Sequence, residues 1–293
     1  MKLWSFALLL GVTPVLPILA QPSRPVIAVL ENPHECDTGS TTRAVHPLFG
    51  LGARGWVALN SAEAARPFDL RDVTWTVAFD GRNLGPVRSI DPGISPKDAW
   101  KYSKEWYLTV QPAPRAPVVA MGKDSFGGWC GSPTSRSLVL VSAPNFEDPD
   151  RWKPFRPTRI VRDSLFARIR KVVDLKLPCR DNAEQSMPLD YAAMTFPAQK
   201  GYRDRAGRML VAVQVPDKQF VCDSQEGPDA LQWFLLSDAV YPLGPDLQLV
   251  DAGDYDRDGK SDLLFWYSGY NNDGFTLFYG GLTKHVDFRW SYH

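Results

Sequence analysis

Leu247-Gln248-Leu249-Val250-Asp251-Ala252-Gly253-Asp254-Tyr255-Asp256-Arg257-Asp258-Gly259-Lys260-Ser261-Asp262-Leu263-Leu264-Phe265-Trp266-Tyr267 is the stretch that decides how this chain folds. Two short apolar runs flank nine residues that carry four aspartates, in the pattern D-x-D-x-D-G-x-x-D from Asp254 to Asp262. The run that follows, Leu263 to Tyr267, is short, apolar and aromatic, which is the composition of a strand. A helix–loop–helix calcium site would need helices on both sides and a bidentate acid at position twelve, and position twelve is Phe265. The acidic loop therefore joins two strands. Calcium, a hard cation, takes roughly six to eight oxygen ligands, and carboxylates at alternate positions turn inward when the backbone curls around it. Asp254, Asp256 and Asp258 fill positions one, three and five, and Gly259 permits the sharp turn by accepting a positive φ. Lys260 offers its backbone carbonyl, and Asp262 closes the site at position nine. Four carboxylates this close repel one another without a cation, so the expected cofactor is Ca2+.

Outward from this stretch the chain keeps the same character. Short runs rich in β-branched and aromatic residues alternate with Gly, Pro, Asn and Asp turns. Strands are expected over 26–30, 55–59, 73–79, 84–90, 106–110 and 137–142, and then over 191–196, 209–215, 231–236, 248–251, 263–267, 275–279 and 285–290. Asp80-Gly81-Arg82-Asn83 is a hairpin signal between two of them. One segment departs from the pattern: after Asp163 or Ser164 as a cap, Leu165, Phe166, Ile169, Val172 and Val173 fall on one helical face, and Pro178 stops the helix. The expected fold class is all-β, either propeller-like or built as two β regions joined by one short helix. The corresponding division is a leader over 1–20, an amino-terminal β region over 21–157, a helical linker over 158–178 and a carboxyl-terminal β region over 179–293. The Pro-rich passage 152–157 marks the boundary.

The segment Gly253-Asp254-Tyr255-Asp256-Arg257-Asp258-Gly259-Lys260-Ser261-Asp262-Leu263 resembles the calcium loop of FG-GAP or VCBS-type repeats, which build β-propellers including those of integrin α-chains. The resemblance implies a loop between two strands of one blade. It assigns Asp254, Asp256, Asp258 and Asp262 as side-chain ligands and Lys260 as a backbone ligand. The turn Asn271-Asn272-Asp273-Gly274 and the last two expected strands would complete a four-stranded blade over 247–293. The resemblance covers about 45 residues at the carboxyl end, and no second copy of the loop occurs elsewhere. The start of the loop and the ending Ser291-Tyr292-His293 also resemble secreted bacterial proteins to which no activity attaches.

Composition sets the outer bounds. The 293 residues carry 33 basic and 33 acidic side chains, a balance that argues against bulk attraction to nucleic acid. Met1-Lys2, an apolar run over 3–10 and Ile18-Leu19-Ala20 ahead of Gln21 form the pattern of a cleaved secretory leader. About 20 uninterrupted apolar residues are needed to span a bilayer, and Pro14 and Pro17 break this stretch. The expected location is secreted or periplasmic, with no membrane span after cleavage and an extracellular or envelope partner of unknown kind. In such a compartment Cys36, Cys130, Cys179 and Cys222, which form no C-x-x-C pair, are expected to make two disulfides. Three connectivities are open, and Cys36–Cys130 with Cys179–Cys222 keeps each bridge within one half of the chain. Charge is unevenly placed: residues 151–176 hold nine Lys or Arg and two Asp, whereas 216–293 hold thirteen acidic and five basic residues. Such runs form solvated surface, attract each other, or present a basic face to an anionic polymer.

No catalytic motif is complete. There is no nucleophile elbow, zinc-protease helix, phosphate loop or dinucleotide fingerprint, and His34, His46, His285 and His293 stand far apart. His34-Glu35-Cys36 gives no nucleophile if Cys36 is bridged. A glycan hydrolase needs only two carboxylates, about 5–9 Å apart, and Asp69, Asp72, Glu147, Asp148 and Asp150 are the candidates. Trp75, Trp233, Trp266 and Trp290 fall within expected strands and read as core, while Phe126-Gly127-Gly128-Trp129-Cys130 is the best exposed aromatic loop. The first reading is a calcium-stabilised exported β protein with a non-catalytic binding or structural role, including envelope maintenance. The alternative is an extracellular glycan hydrolase, which requires a cleft holding two acids near aromatic side chains.

Overall fold

A computed structural model describes residues 24–31, 44–68, 70, 73–88, 108–109, 136–171, 176–178, 186–188, 198–215, 230–269 and 272–291. The leader, all four cysteines, the strand expected over 191–196, Asp69, Asp72, His34, Glu35, His293, the 126–130 loop, Trp100, Trp106 and Trp129 lie outside these residues.

The fold is all-β, built from three main antiparallel sheets. The first contains β1 (Val26–Glu31), β2 (Ala44–Gly52), β3 (Gly55–Ala58), β4 (Thr74–Phe79), β5 (Arg82–Arg88), β6 (Leu108–Thr109) and β7 (Leu138–Val141). Its order is β3-β2-β1-β7-β4-β5, with β6 also pairing β2, and a four-residue helix α1 (Ala62–Ala65) follows β3. The second sheet takes β8 (Lys153–Pro154), β11 (Ala198–Arg203), β12 (Met209–Val215), β13 (Ala230–Leu236) and β14 (Val240–Gly244), in the order β14-β13-β12-β11-β8. A small pair, β9 (Lys176–Pro178) and β10 (Ser186–Pro188), stands between β8 and β11 in sequence. The third sheet is a meander of β15 (Leu247–Gly253), β16 (Asp262–Gly269), β17 (Asn272–Tyr279) and β18 (Lys284–Ser291).

Side-chain alternation sets the layering. In β16, Leu264 and Trp266 enter a cluster with Ile27, Val29, Val139 and Val141 of the first sheet. Leu263 and Phe265, on the opposite face, join Leu210, Ala212, Trp233 and Leu235 of the second. The third sheet is thus the middle layer, which is why its strand reads as an unbroken apolar run rather than an alternating one. The outer face of the first sheet buries Val26, Ala28, Trp75, Val77 and Leu140 with Ala65 and Phe68 from the α1 segment. Trp75, Trp233 and Trp266 are buried as expected, and Trp290 is partly buried against the same core.

The helix α2 (Arg159–Arg170) is capped by Thr158, five residues before Asp163, the earlier of the two expected caps. Thr158, in extended backbone, takes the Val161 N–H on its hydroxyl at 3.4 Å, so Asp163 and Ser164 lie inside the helix. Lys171 ends it well before Pro178, and residues 176–178 are strand. Nor is α2 a mere connector, since Leu165 and Ile169 pack on Val211, Val213, Phe234 and Leu236 of the second sheet. An N-cap hydroxyl contributes about 0.5–2 kcal/mol. At this length of hydrogen bond and this exposure, Thr158→Ala should cost about 0.5–1 kcal/mol, measured by denaturant unfolding. A loss several times larger would mean that the residue does more than cap.

Two turns show how local chemistry sets register. Asp80 and Gly81 have φ of 53° and 65°, the paired positive values of a two-residue turn that matches strand twist. Arg82 and Asn83, expected in the turn, already belong to β5. Likewise Asn272, Asp273 and Gly274 pair with Gly269, Ser268 and Tyr267, so that expected turn is strand as well.

Candidate metal centre

The acidic loop spans the gap between β15 and β16, inside the middle sheet. Gly253 and Asp262 are the last paired residues beneath it. Arg257 and Gly259 take φ of 64° and 82°, which curls the backbone on itself as the D-x-D-x-D-G spacing requires. The curl is held by the carboxylates. Asp254 accepts the N–H groups of Asp258 and Gly259, both at 3.0 Å, and Asp258 accepts the Lys260 N–H at 2.8 Å. Asp254, Asp256 and Asp258 each bring a carboxylate oxygen within 4.8 Å of the others.

Asp262 stands outside that ring of three but is fully buried at the start of β16. Neither of its oxygens makes a hydrogen bond of full geometry among the described residues. Burial first, and then the charges of Asp256, Asp258 and Asp254, push its pKa up to about 9, with the Tyr255 backbone N–H a partial counterweight. Burial also raises the Asp254 and Asp256 carboxyls, and the neighbouring loop aspartates raise them further. A buried carboxyl with one weak backbone partner, facing three more aspartates, ionises only at high pH unless a cation joins it.

Tyr255, the residue between the first two aspartates, turns inward instead. It is fully buried, stacks on Phe146 at 5.4 Å, and its hydroxyl donates to Asp251 at 3.4 Å. Phe146 also occupies the space that a Cβ on Gly253 would need. These contacts anchor the loop to the segment after β7. The Asp254 N–H donates to the Glu147 carbonyl at 2.9 Å, the Ser261 N–H to Asp150 at 3.0 Å, and the Ser261 hydroxyl to Asp148. Asp150 also receives Arg208 at 2.7 Å from the second sheet. The loop is therefore fastened at both ends to a turn from a distant part of the chain.

That turn forms one wall of a cleft of about 510 Å³. Asp251, buried on β15, sits in its lining, accepting the Gly81 N–H at 2.9 Å and facing Arg136 at 3.7 Å. Burial raises the Asp251 carboxyl to about 7, partly opposed by the Arg136 charge. Glu147 and Asp148 also line the cleft, next to Trp152 and Tyr202. Acids near aromatic rings are what a glycan hydrolase requires, but Asp148 and Asp251 are committed, which leaves Glu147 without an uncommitted second acid in the lining among the described residues. Asp148 accepts the N–H groups of Asp150, Arg151 and Trp152 as well as the Ser261 hydroxyl, so its carboxylate closes a turn. Asp251 holds the Asp80-Gly81 hairpin in place. The turn that Asp148 closes is local, whereas its bond to Ser261 and the hold of Asp251 on Gly81 join residues more than a hundred positions apart, which no sequence motif announces.

Comparison of the chain with protein-family models, curated proteins and solved structures returned no match. Among the described residues no helix is long and apolar enough to cross a membrane.

Proposed function

We propose that this is an exported β protein with a binding or structural role rather than a catalytic one, stabilised by one calcium ion in the 254–262 loop. Asp254, Asp256, Asp258 and Asp262 would hold the ion through carboxylates, and Lys260 through its carbonyl. The observation that carries this reading is Asp262, a fully buried carboxyl with no hydrogen bond of full geometry among the described residues, beside three converging aspartates. The donor set is all oxygen and strongly anionic, which suits a hard divalent cation and not a thiolate- or imidazole-seeking one. A bound ion would neutralise the loop and fix the angle between β15 and β16. The leader-like amino terminus supports export, and a cleft with Glu147 as its one uncommitted carboxylate lacks the pair of acids that hydrolysis needs, which favours binding.

The test is thermal unfolding in calcium and in excess chelator, with elemental analysis of the purified protein. Calcium at one hundred times Kd should stabilise the fold by about 3 kcal/mol, and magnesium should do less, because it demands tighter octahedral geometry. An unchanged melting temperature together with no bound calcium would remove the metal from the account.

A further inference from the structure

We propose that the cleft beside the metal loop binds an acidic saccharide, a sugar chain bearing carboxylate or sulfate groups. Its rings would lie against Pro154 and the edges of Trp152 and Tyr202, and its acidic groups would be met by Arg82, Arg151 and Lys153. This inference rests on the reading of the protein as a binding module and not on the bound calcium.

The argument begins with the charges already in use. Arg136 pairs with Asp80 at 2.8 Å and Asp251 at 3.7 Å, donates to the Val250 carbonyl, and lies 4.1 Å over the Phe79 ring. Asp148 is saturated by three N–H groups and one hydroxyl. What remains uncommitted at the mouth is mostly positive. Arg151 and Lys153 are exposed and make no ion pair among the described residues. Arg82 is 72% exposed and reaches Asp80 only at 4.0 Å. Glu147 is the one lining carboxylate without a partner among the described residues.

Backbone strain sits at the same place. Arg151 has φ of 58°, a left-handed value uncommon for its residue type, and it is held there by its N–H bond to Asp148 at 2.9 Å. The remaining wall is apolar, with exposed Pro154 and the edges of two rings already engaged, Tyr202, which stacks on Trp233 at 6.1 Å, and Trp152, buried with Arg208 over its ring at 5.5 Å. A small inorganic anion would leave that wall unused, and a neutral sugar would leave the cations unused. An acidic saccharide uses both, through its C–H groups against these apolar edges and charge-assisted hydrogen bonds to Arg and Lys. The volume falls within the range of small-ligand sites, about 300–1,000 Å³. Past the mouth the chain runs through exposed Arg156 to exposed Arg159 on α2, a basic track for a polymer that outgrows the cleft.

The test is calorimetric titration with a short uronic-acid oligosaccharide, its neutral hexose counterpart and poly-glutamate, in samples whose thermal response to calcium is also recorded. The uronic-acid oligosaccharide should bind and weaken as salt is raised. The other two should bind at least about tenfold more weakly. A double variant, Arg82→Gln with Lys153→Gln, should lose about tenfold or more in affinity with its melting temperature unchanged, since both side chains are exposed. Absence of binding, equal binding of poly-glutamate, or a double variant of wild-type affinity would each overturn the inference. A protein that responds to calcium yet binds no saccharide overturns this inference alone. One that binds the saccharide without a calcium response overturns only the metal reading.

Discussion

Asp262→Asn should raise the melting temperature in chelator and abolish the rise that calcium produces, two effects of opposite sign from one substitution. The reasoning follows from where the proton sits. In the folded chain without metal, burial and three nearby aspartates hold the Asp262 carboxyl at about 9, against an ordinary value of 3.8. Both states are protonated at low pH, and the unfolded chain ionises first as pH rises. Stability is therefore fully present below the ordinary value and lost as pH climbs towards about 9, at roughly 1.4 kcal/mol for each unit. Asp251 acts in the same direction up to about 7.

In chelator the wild-type protein should melt higher near pH 5 than near pH 8. Asparagine cannot ionise, so the variant should show a shallower pH slope, and the Asp251 part should survive. In calcium the order reverses, because the variant lacks a ligand. Scanning fluorimetry of both proteins at the two pH values, with and without calcium, reads all of this. If the variant is destabilised in chelator and still responds to calcium, Asp262 is a structural residue and no ligand.

Trp266→Ala carries the next largest expected effect, a loss of about 3–5 kcal/mol. The indole is fully buried, with Phe275 at 5.0 Å and Trp290 at 5.5 Å, in the core shared by the first and third sheets. Truncation removes its transfer free energy and leaves a cavity that two facing sheets cannot easily close. For a chain of this size the melting temperature should drop by roughly 10 °C or more. Trp266→Phe keeps most of the volume and should lose far less. A loss of under about 1 kcal/mol for the alanine variant would mean that the two sheets do not pack there as described.

The sequence was legible where structure is local. The apolar run of β16, the Asp80-Gly81 turn and the alternation of three aspartates all express constraints within a few residues, and each appears where expected. Two strands carrying proline, β2 and β14, were missed. Pro47 lies in β2 at the register shift opposite Ala28, and Pro242 lies in the edge strand β14 beside another shift, positions where a missing N–H costs little. The cap of α2 was misplaced because Arg159, Ile160 and Val161 look poor as a first turn, whereas packing on Val211 and Phe234 sustains the helix. The seating of the acidic loop on Asp148 and Asp150, and the cleft with its charge balance, arise from contacts across long separations. No window along the chain holds that information.

The middle layer of the stack is the last of the three sheets to leave the ribosome. Until residues 247–291 have been made, the inner faces of the other two sheets, including Ile27 and Val139 on one side and Leu210 and Trp233 on the other, have nothing to cover them. The order of synthesis and the order of assembly thus run against each other, so nascent chains must stay unfolded or shielded until the end is available. A chain cut short before β15 would expose two sticky surfaces at once and become a target for proteases rather than a slightly weakened protein.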